Sequence, residues 1–424
     1  MSDGPGRTHG RVASAIAALR PDLAPLRSSR DYRILYASSA VSLLGAMVTA
    51  VAAPLQLKEL TGSTVAVGLV GIAELVPTVV LGLLGGAMAD VHDRRRVLLL
   101  TEAVSLLAAL ALVGNALLPH PSIAAIYVTA AVTAGAGAVQ RPSAEAMLAR
   151  LIPREQQAAA ATLIGLQGTF GMILGPALGG VLAAASLPLA YAVDVAGLAI
   201  SLVLLLRVAP MRAGGADRVS LRGIGEGLRY AAARRDLLGT YLVDIAAMAF
   251  AMPEALFPFL ADELHAPSAL GLLYAAGAIG SGVVTLTGGW MSRVRRHGRA
   301  IVLAALCWGA AIAAAGVAPG LVATVVCLAV AGGADMVSGV FRDAIWNSTI
   351  PDELRGRLAG IELLSYTTGP TLGNARAGLM ARFTGVRGAV LAGGLLCVVG
   401  VTAVASALPG LWRQRADAPV PDRA

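Results

Sequence analysis

Five carboxylates, Glu74, Asp194, Asp244, Glu254 and Asp335, stand inside long apolar stretches of this 424-residue chain. An ionisable side chain surrounded by hydrocarbon is costly and marks a task. A carboxyl held away from bulk water can load and release a proton, which makes Glu74, Asp244, Glu254 and Asp335 candidates for proton exchange. Asp194 falls near one end of its apolar stretch and reads as a helix-end residue. Three arginines, Arg141, Arg342 and Arg376, share these stretches. The first two read as partners of the neighbouring Glu145 and Asp343, or as contacts for an anionic ligand. Arg376 lies deeper, where a ligand contact is the more open reading. Gln56, Gln140, Gln167, Tyr366 and Asn374 offer neutral hydrogen bonds to the same ligand.

Other chemistry lacks its residues. His9, His92, His120, His265 and His297 all fall in tails or between apolar runs, and Cys307, Cys327 and Cys397 sit singly inside such runs. Neither set has metal-ligand or nucleophile–base spacing, so the chain reads as no enzyme and as having no metal and no cofactor. No phosphate-binding glycine loop is present, so any work the chain does draws on an ion gradient.

The elements that position these residues are membrane spans. The chain is 57% hydrophobic and 14% charged, with a mean hydropathy of +0.74. A soluble domain carries about 25% charged residues. Twelve apolar runs reach the ~20 residues that a span needs. They fall at 34–57, 64–88, 97–118, 122–148, 158–184, 187–207, 237–260, 268–291, 300–318, 321–349, 358–381 and 388–411. The layout is a tail over 1–33, six helices over 34–208, a linker over 209–236 with a surface helix at Leu221–Ala233, six helices over 237–411, and a tail over 412–424. The first tail has no apolar core or cleavage site of a secretory signal.

The net charge of +8 belongs to loops rather than to a nucleic-acid surface. Tails and alternate loops hold 27 of the 33 Lys and Arg, while Lys58, Arg382 and Arg387 are the ones on the other side. Basic loops stay in the cytoplasm, so both termini are expected there, in a multi-pass protein of the cytoplasmic membrane. The halves repeat. Gly85-Gly86-x-Met88 returns as Gly288-Gly289-x-Met291, Ile152-Pro153-x-Glu155 as Ile350-Pro351-x-Glu353, and Gly175-Pro176-x-Leu178-Gly179 as Gly369-Pro370-x-Leu372-Gly373. Parallel six-helix repeats place a site between the halves near the midplane.

The hairpin after the second run carries Gly86, Asp90, Arg94 and Arg95 at the positions of the loop signature G-x-x-x-D-[RK]-x-G-[RK]-[RK], with Val91 and Asp93 departing from it. The fifth run matches G-x-x-x-G-P-x-x-G-G throughout, with Gly171, Gly175, Pro176, Gly179 and Gly180. On these residues the chain resembles the major facilitator superfamily, and the second motif resembles its antiporter signature. The runs Leu118-Pro119-x-Pro121-Ser122-x-x-Ala125-Ile126-Tyr127, Phe257-Pro258-x-Leu260-Ala261-Asp262 and Gly271-x-Leu273-Tyr274-Ala275-Ala276 resemble the enterobactin exporter group.

The resemblance implies an all-α fold of two six-helix bundles, with spans 3, 6, 9 and 12 outside the cavity. It implies a hairpin latch in which Asp90 faces the start of span 11 and Arg94 pairs with an acid at the end of span 4, for which Glu145 is the candidate. It implies proton-driven export of a small amphiphilic molecule, siderophore-like or drug-like, by a monomer in the lipid bilayer. An importer or uniporter of the same fold, and a membrane sensor that binds without transport, are the competing readings.

Overall fold

The computed structural model describes residues 22–91, 93–210, 234–350 and 352–414. The tails over 1–21 and 415–424 and the surface helix expected at Leu221–Ala233 lie outside the described residues. Within them the chain is helical with no strand. A short helix, Ala24–Ser28, leads into α1 (Arg30–Thr61), α2 (Thr64–Val91), α3 (Arg94–Ala116), α4 (Ile123–Leu151), α5 (Gln157–Ala185) and α6 (Leu187–Leu205). The second half holds α7 (Arg235–Ala251), α8 (Leu270–Thr287), α9 (His297–Val317) and α10 (Leu321–Thr349). The last helical stretch, Asp352–Ala407, is broken at Gly385, whose φ of 75° and ψ of 169° leave the helical region. Glycine takes that conformation without a Cβ clash. The break makes α11 (352–384) and α12 (386–407). Eleven described segments are long and apolar enough to cross a membrane, and the division at Gly385 turns the last of them into two.

The turns are short and capped. Ser29 opens α1 by accepting a hydrogen bond from the Tyr32 amide at 3.2 Å. Gly62, with φ 61°, closes it and donates its amide to the Lys58 carbonyl at 2.7 Å. Asp93 caps α3 through the amides of Arg95 and Arg96, the usual work of a carboxylate at a helix start. With so little chain between them, consecutive helices lie antiparallel. An even number of spans leaves the two ends of the chain on one face, here termed proximal; the opposite face is distal.

Packing follows the sequence repeat. In the first half α2 lies on α4, α3 on α4 and α6, and α1 on α5 and α6. In the second, α8 lies on α10, α9 on α10, and α7 and α9 on the α11–α12 stretch. Two contacts dominate between the described halves, α2 with α11 and α5 with α8, and each becomes the other on a shift of six helices. Leu100, Leu107, Leu286 and Val322 are exposed on the outer surface, as helices facing lipid tails require.

α7 is interrupted. Met252 is extended, with ψ 114°, ahead of Pro253, and the chain resumes as a tight turn, Glu254–Leu256, and a short helix, Phe257–Glu263. Proline disfavours the helical conformation in the residue before it. One backbone group freed by the break, the Ala255 amide, donates to Asn374 Oδ1 on α11 at 3.0 Å.

Candidate functional site

The distal ends of the halves are drawn together. Gly180 of α5 and Gly271 of α8 meet backbone to backbone, and a Cβ on either would overlap the other helix. On the second joint a Cβ on Gly68 or Gly71 would press on the backbone of α11 at Asn374 or Thr371, 2.8 Å from the carbonyl oxygen. Thr64 Oγ1 donates to the Gly378 carbonyl at 2.8 Å. Lys58, at the end of α1, reaches Asp262 at 2.5 Å and donates to the Pro258 carbonyl at 2.8 Å.

Below this closure lies a cavity of about 380 Å³. Its walls include Thr49, Ala50, Val67, Leu112, Ile126 and Leu198. Four carboxylates line it: Glu74 from α2, Glu102 from α3, Asp194 from α6, and Glu254 from the interruption after α7. Gln140 of α4 and Asn374 of α11 line it as well. Most of the cavity therefore belongs to the first half, with Glu254, Ala255, Tyr274 and Asn374 supplied by the second.

Two expectations are corrected here. Asp194 is a buried wall residue, not a helix-end residue. It is 6% exposed, lies about 10 Å into its helix at ~1.5 Å per residue, and accepts a hydrogen bond from Thr49 Oγ1 at 2.7 Å. Spans 3 and 6 also contribute to the cavity rather than standing outside it. Glu102 was missed altogether. It is 1% exposed and accepts from Gln140 Nε2 at 2.8 Å. Its position a few residues into an apolar run, two helical turns past the hairpin arginines, was the available signal.

The arginines lie elsewhere. Arg342 is buried in an ion pair with Asp244, with Asp335 3.9 Å away. It thus turns inward, away from the adjacent, exposed Asp343. Arg376 points between α11 and α12: its guanidinium occupies the space a Cβ on Gly393 would need, and Nη1 lies 3.3 Å from the Met380 sulfur. Arg141 is exposed at the proximal end of α4 and pairs with Glu145 at 3.1 Å.

That last pair revises the latch. Glu145 closes on Arg141 of its own helix instead of on Arg94. Arg94 is buried and donates to the Ala146 carbonyl at 3.4 Å. Arg95 donates to the carbonyls of Leu205 and Leu206 at 3.2 and 2.6 Å. The hairpin arginines thereby tie α3 to the ends of α4 and α6. The side chains of Gly86, Asp90 and Tyr366 lie outside the described residues.

The glycine motif of α5 faces α1. A Cβ on Gly171 would press on Leu43, one on Gly175 on Met47, and one on Gly179 would stand 3.1 Å from Val48 Cα. The repeat behaves alike, since Gly369 and Gly373 face Met248 of α7. Small residues at these places let the helices close on one another. Two amide candidates sit in seams along α1, one against α6 and one against α5. Gln56 accepts from Tyr191 Oη at 2.7 Å and is buried, and Gln167 Nε2 donates to Ser39 Oγ at 2.6 Å.

Residues 21–419 match the family described as "Transmembrane secretion effector". The chain is 30% identical over 412 residues to the enterobactin exporter EntS of Citrobacter koseri, covering 95% of this chain and 98% of that protein. It is also 30% identical over 386 residues to EntS of Shigella boydii, covering 90% and 92%. Among solved structures it is similar to a POT family transporter in complex with 5-aminolevulinic acid, at TM-score 0.72 and 10% identity over 90% of this chain and 97% of that one. It is also similar to a bacterial homologue of the iron transporter ferroportin in an inward-facing state, at TM-score 0.68 and 17% identity over 89% and 99%. At those identities the solved structures speak for the fold alone.

Proposed function

Since this chain belongs to the transmembrane secretion effector family of major facilitator transporters, we propose that it exports a small amphiphilic organic molecule, siderophore-like or drug-like, in exchange for protons. The observation that carries this reading is the cavity between the halves, closed distally, where Glu74 of one half and Glu254 of the other line a common wall. With both termini in the cytoplasm, as the basic loops favour, a distal closure presents the chamber inward, ready to load.

Export then follows from two arrangements of the same joints. Substrate enters from the cytoplasm. The halves rock, parting Gly180 from Gly271 and Lys58 from Asp262. Protons taken from outside by Glu74 and Glu254 favour release and return. The cycle runs only where substrate and protons bind the two arrangements with different affinity. Asp335, beside the Asp244–Arg342 pair, is the second proton candidate.

Everted membrane vesicles with an imposed pH gradient test this. Substrate accumulation that collapses the gradient, and that is lost in the double replacement Glu74→Gln with Glu254→Gln, is the expected result. Accumulation that ignores the gradient, or proton movement that survives replacement of Glu74, Asp244, Glu254 and Asp335 together, defeats the exchange mechanism.

A further inference from the structure

The charges that line the chamber are all of one sign. Glu74, Glu102, Asp194 and Glu254 reach it, and among the described residues no Lys, Arg or His does. The three cations within the spans are committed elsewhere: Arg342 to Asp244, Arg376 to the seam beside Gly393, Arg141 to Glu145. Nor do neutral donors make up the difference. Gln140 serves Glu102 Oε2 and Thr49 serves Asp194 Oδ2. Glu102 Oε1 and Asp194 Oδ1 are buried with no hydrogen-bond partner. At Glu74 and Glu254 the bonds formed among the described residues reach only the main-chain carbonyls, from Thr78 and Tyr274.

A buried carboxylate left without a counter-charge or donor is strongly unfavourable. An anionic ligand entering here would add like charge to an uncompensated set, and like-charge juxtaposition is a strong means of rejecting a partner. A cation with an apolar body meets both demands, since its charge answers the carboxylates and its body lies along Val67, Leu112, Ile126 and Leu198. The volume suits a small organic molecule, for which pockets of ~300–1,000 Å³ are usual.

We propose that the chamber selects cationic amphiphiles, holding the positive centre with the carboxylates of Glu74, Glu102 and Glu254. Asp194 contributes through its field rather than by contact, because its Oδ1 is turned to the α1 backbone, 2.6 Å from where a Cβ on Gly45 would stand. The inference deepens the export reading and rests on it in taking this chamber as the substrate's.

The test uses two probes of nearly equal shape and opposite charge, tetraphenylphosphonium and tetraphenylborate. Each is measured separately by equilibrium dialysis against the purified full-length protein in nanodiscs, with empty nanodiscs subtracted. Saturable binding of the phosphonium at least about tenfold tighter than of the borate is expected, and Glu102→Gln should lower it about tenfold while Glu102→Asp keeps most of it. Glu74→Gln is the second variant should the first fail to fold. Equal binding of the two probes, tighter binding of the borate, or indifference to both glutamine variants overturns the proposal. Proteoliposome flux separates the two readings. Charge preference without flux removes the export reading and leaves this one. Flux without charge preference does the reverse.

Discussion

The buried Asp244–Arg342 pair gives the sharpest test of how the second bundle is held together. Asp244 on α7 and Arg342 on α10 are 1% and 4% exposed, whereas Asp335 is 40% exposed and 3.9 Å from the same guanidinium. Breaking a buried pair from one side strands a charge, at a cost of about 3–5 kcal/mol. A half-exposed contact of the Asp335 kind is worth ~0.2–1 kcal/mol. Arg342→Met takes the guanidinium from the buried Asp244 and should cost ~3–5 kcal/mol. Asp244→Asn leaves Arg342 beside Asp335 and should cost less by up to about 1 kcal/mol. Asp335→Asn should cost under about 1 kcal/mol. Asp244→Leu combined with Arg342→Met removes both charges and should return to within ~1 kcal/mol of the parent or exceed it. With Trp290, Trp308 and Trp412 replaced, Trp346, one turn beyond Arg342, stacked on Tyr241 at 5.0 Å and donating to Thr240 Oγ1 at 2.9 Å, makes fluorescence a local reporter. The assay is SDS titration in mixed micelles, followed at that emission. If Arg342→Met and Asp335→Asn cost the same, or if the apolar double variant is no better than the single, the reasoning from burial is wrong.

Three further outcomes follow from the distal closure. Gly271→Val forces α8 away from the backbone of α5 at Pro176 and Ala177. With Cys307, Cys327 and Cys397 replaced, a cysteine at the buried Ala255 should react with an impermeant maleimide added distally about tenfold faster in this variant, a population shift of ~1.4 kcal/mol; an unchanged rate refutes the joint. Lys58→Ala removes a pair whose acid is 54% exposed, so the melting midpoint should barely move, for a loss of ~0.2–1 kcal/mol. The charge swap Lys58→Asp with Asp262→Lys should restore the parent labelling rate. Asn374→Ala takes the acceptor from the Ala255 amide and should cost ~1–3 kcal/mol, read in the same SDS titration.

The helices were legible because each needs only length and hydropathy. The expected ends agree with the helices to within a few residues at α2, α5 and α10. The seventh run reads as unbroken over 237–260; Pro253 was the available signal of its interruption, and nothing in the sequence said that Glu254 would be carried by the break into the cavity wall. What the residues could not give alone was direction. Asp194 and Glu102 lie on spans that the resemblance set outside, and their depth, two turns from a helix end, suits a surface acid equally well. Only the packing of α3 and α6 against the first bundle turns them inward. Gln56 and Gln140 show the same limit. Both are amides in apolar helices, yet one is buried on Tyr191 in a seam and the other faces the cavity.

The two bundles share a packing plan and differ in charge. The second neutralises its buried acid internally, Asp244 against Arg342. The first gathers Glu74, Glu102 and Asp194 around one space with no base among the described lining residues. The position that the repeat aligns with Arg342 is Ala144 in the first bundle, so the cation of α10 has no counterpart there. The base that α4 does carry, Arg141, follows the cavity-lining Gln140 by one residue, a step of about 100° on a helix of 3.6 residues per turn, and pairs with Glu145 outside the cavity. The phase of α4 at 140–141 thus keeps its base off the chamber wall. It predicts that moving the base by one position, Gln140→Arg with Arg141→Gln, puts a cation beside Glu102. If this double variant keeps the parent's preference for tetraphenylphosphonium over tetraphenylborate, the charge of the first bundle is not what selects the ligand. If the preference falls or inverts while the protein still melts cooperatively, helix phase alone has set which sign of charge the chamber admits.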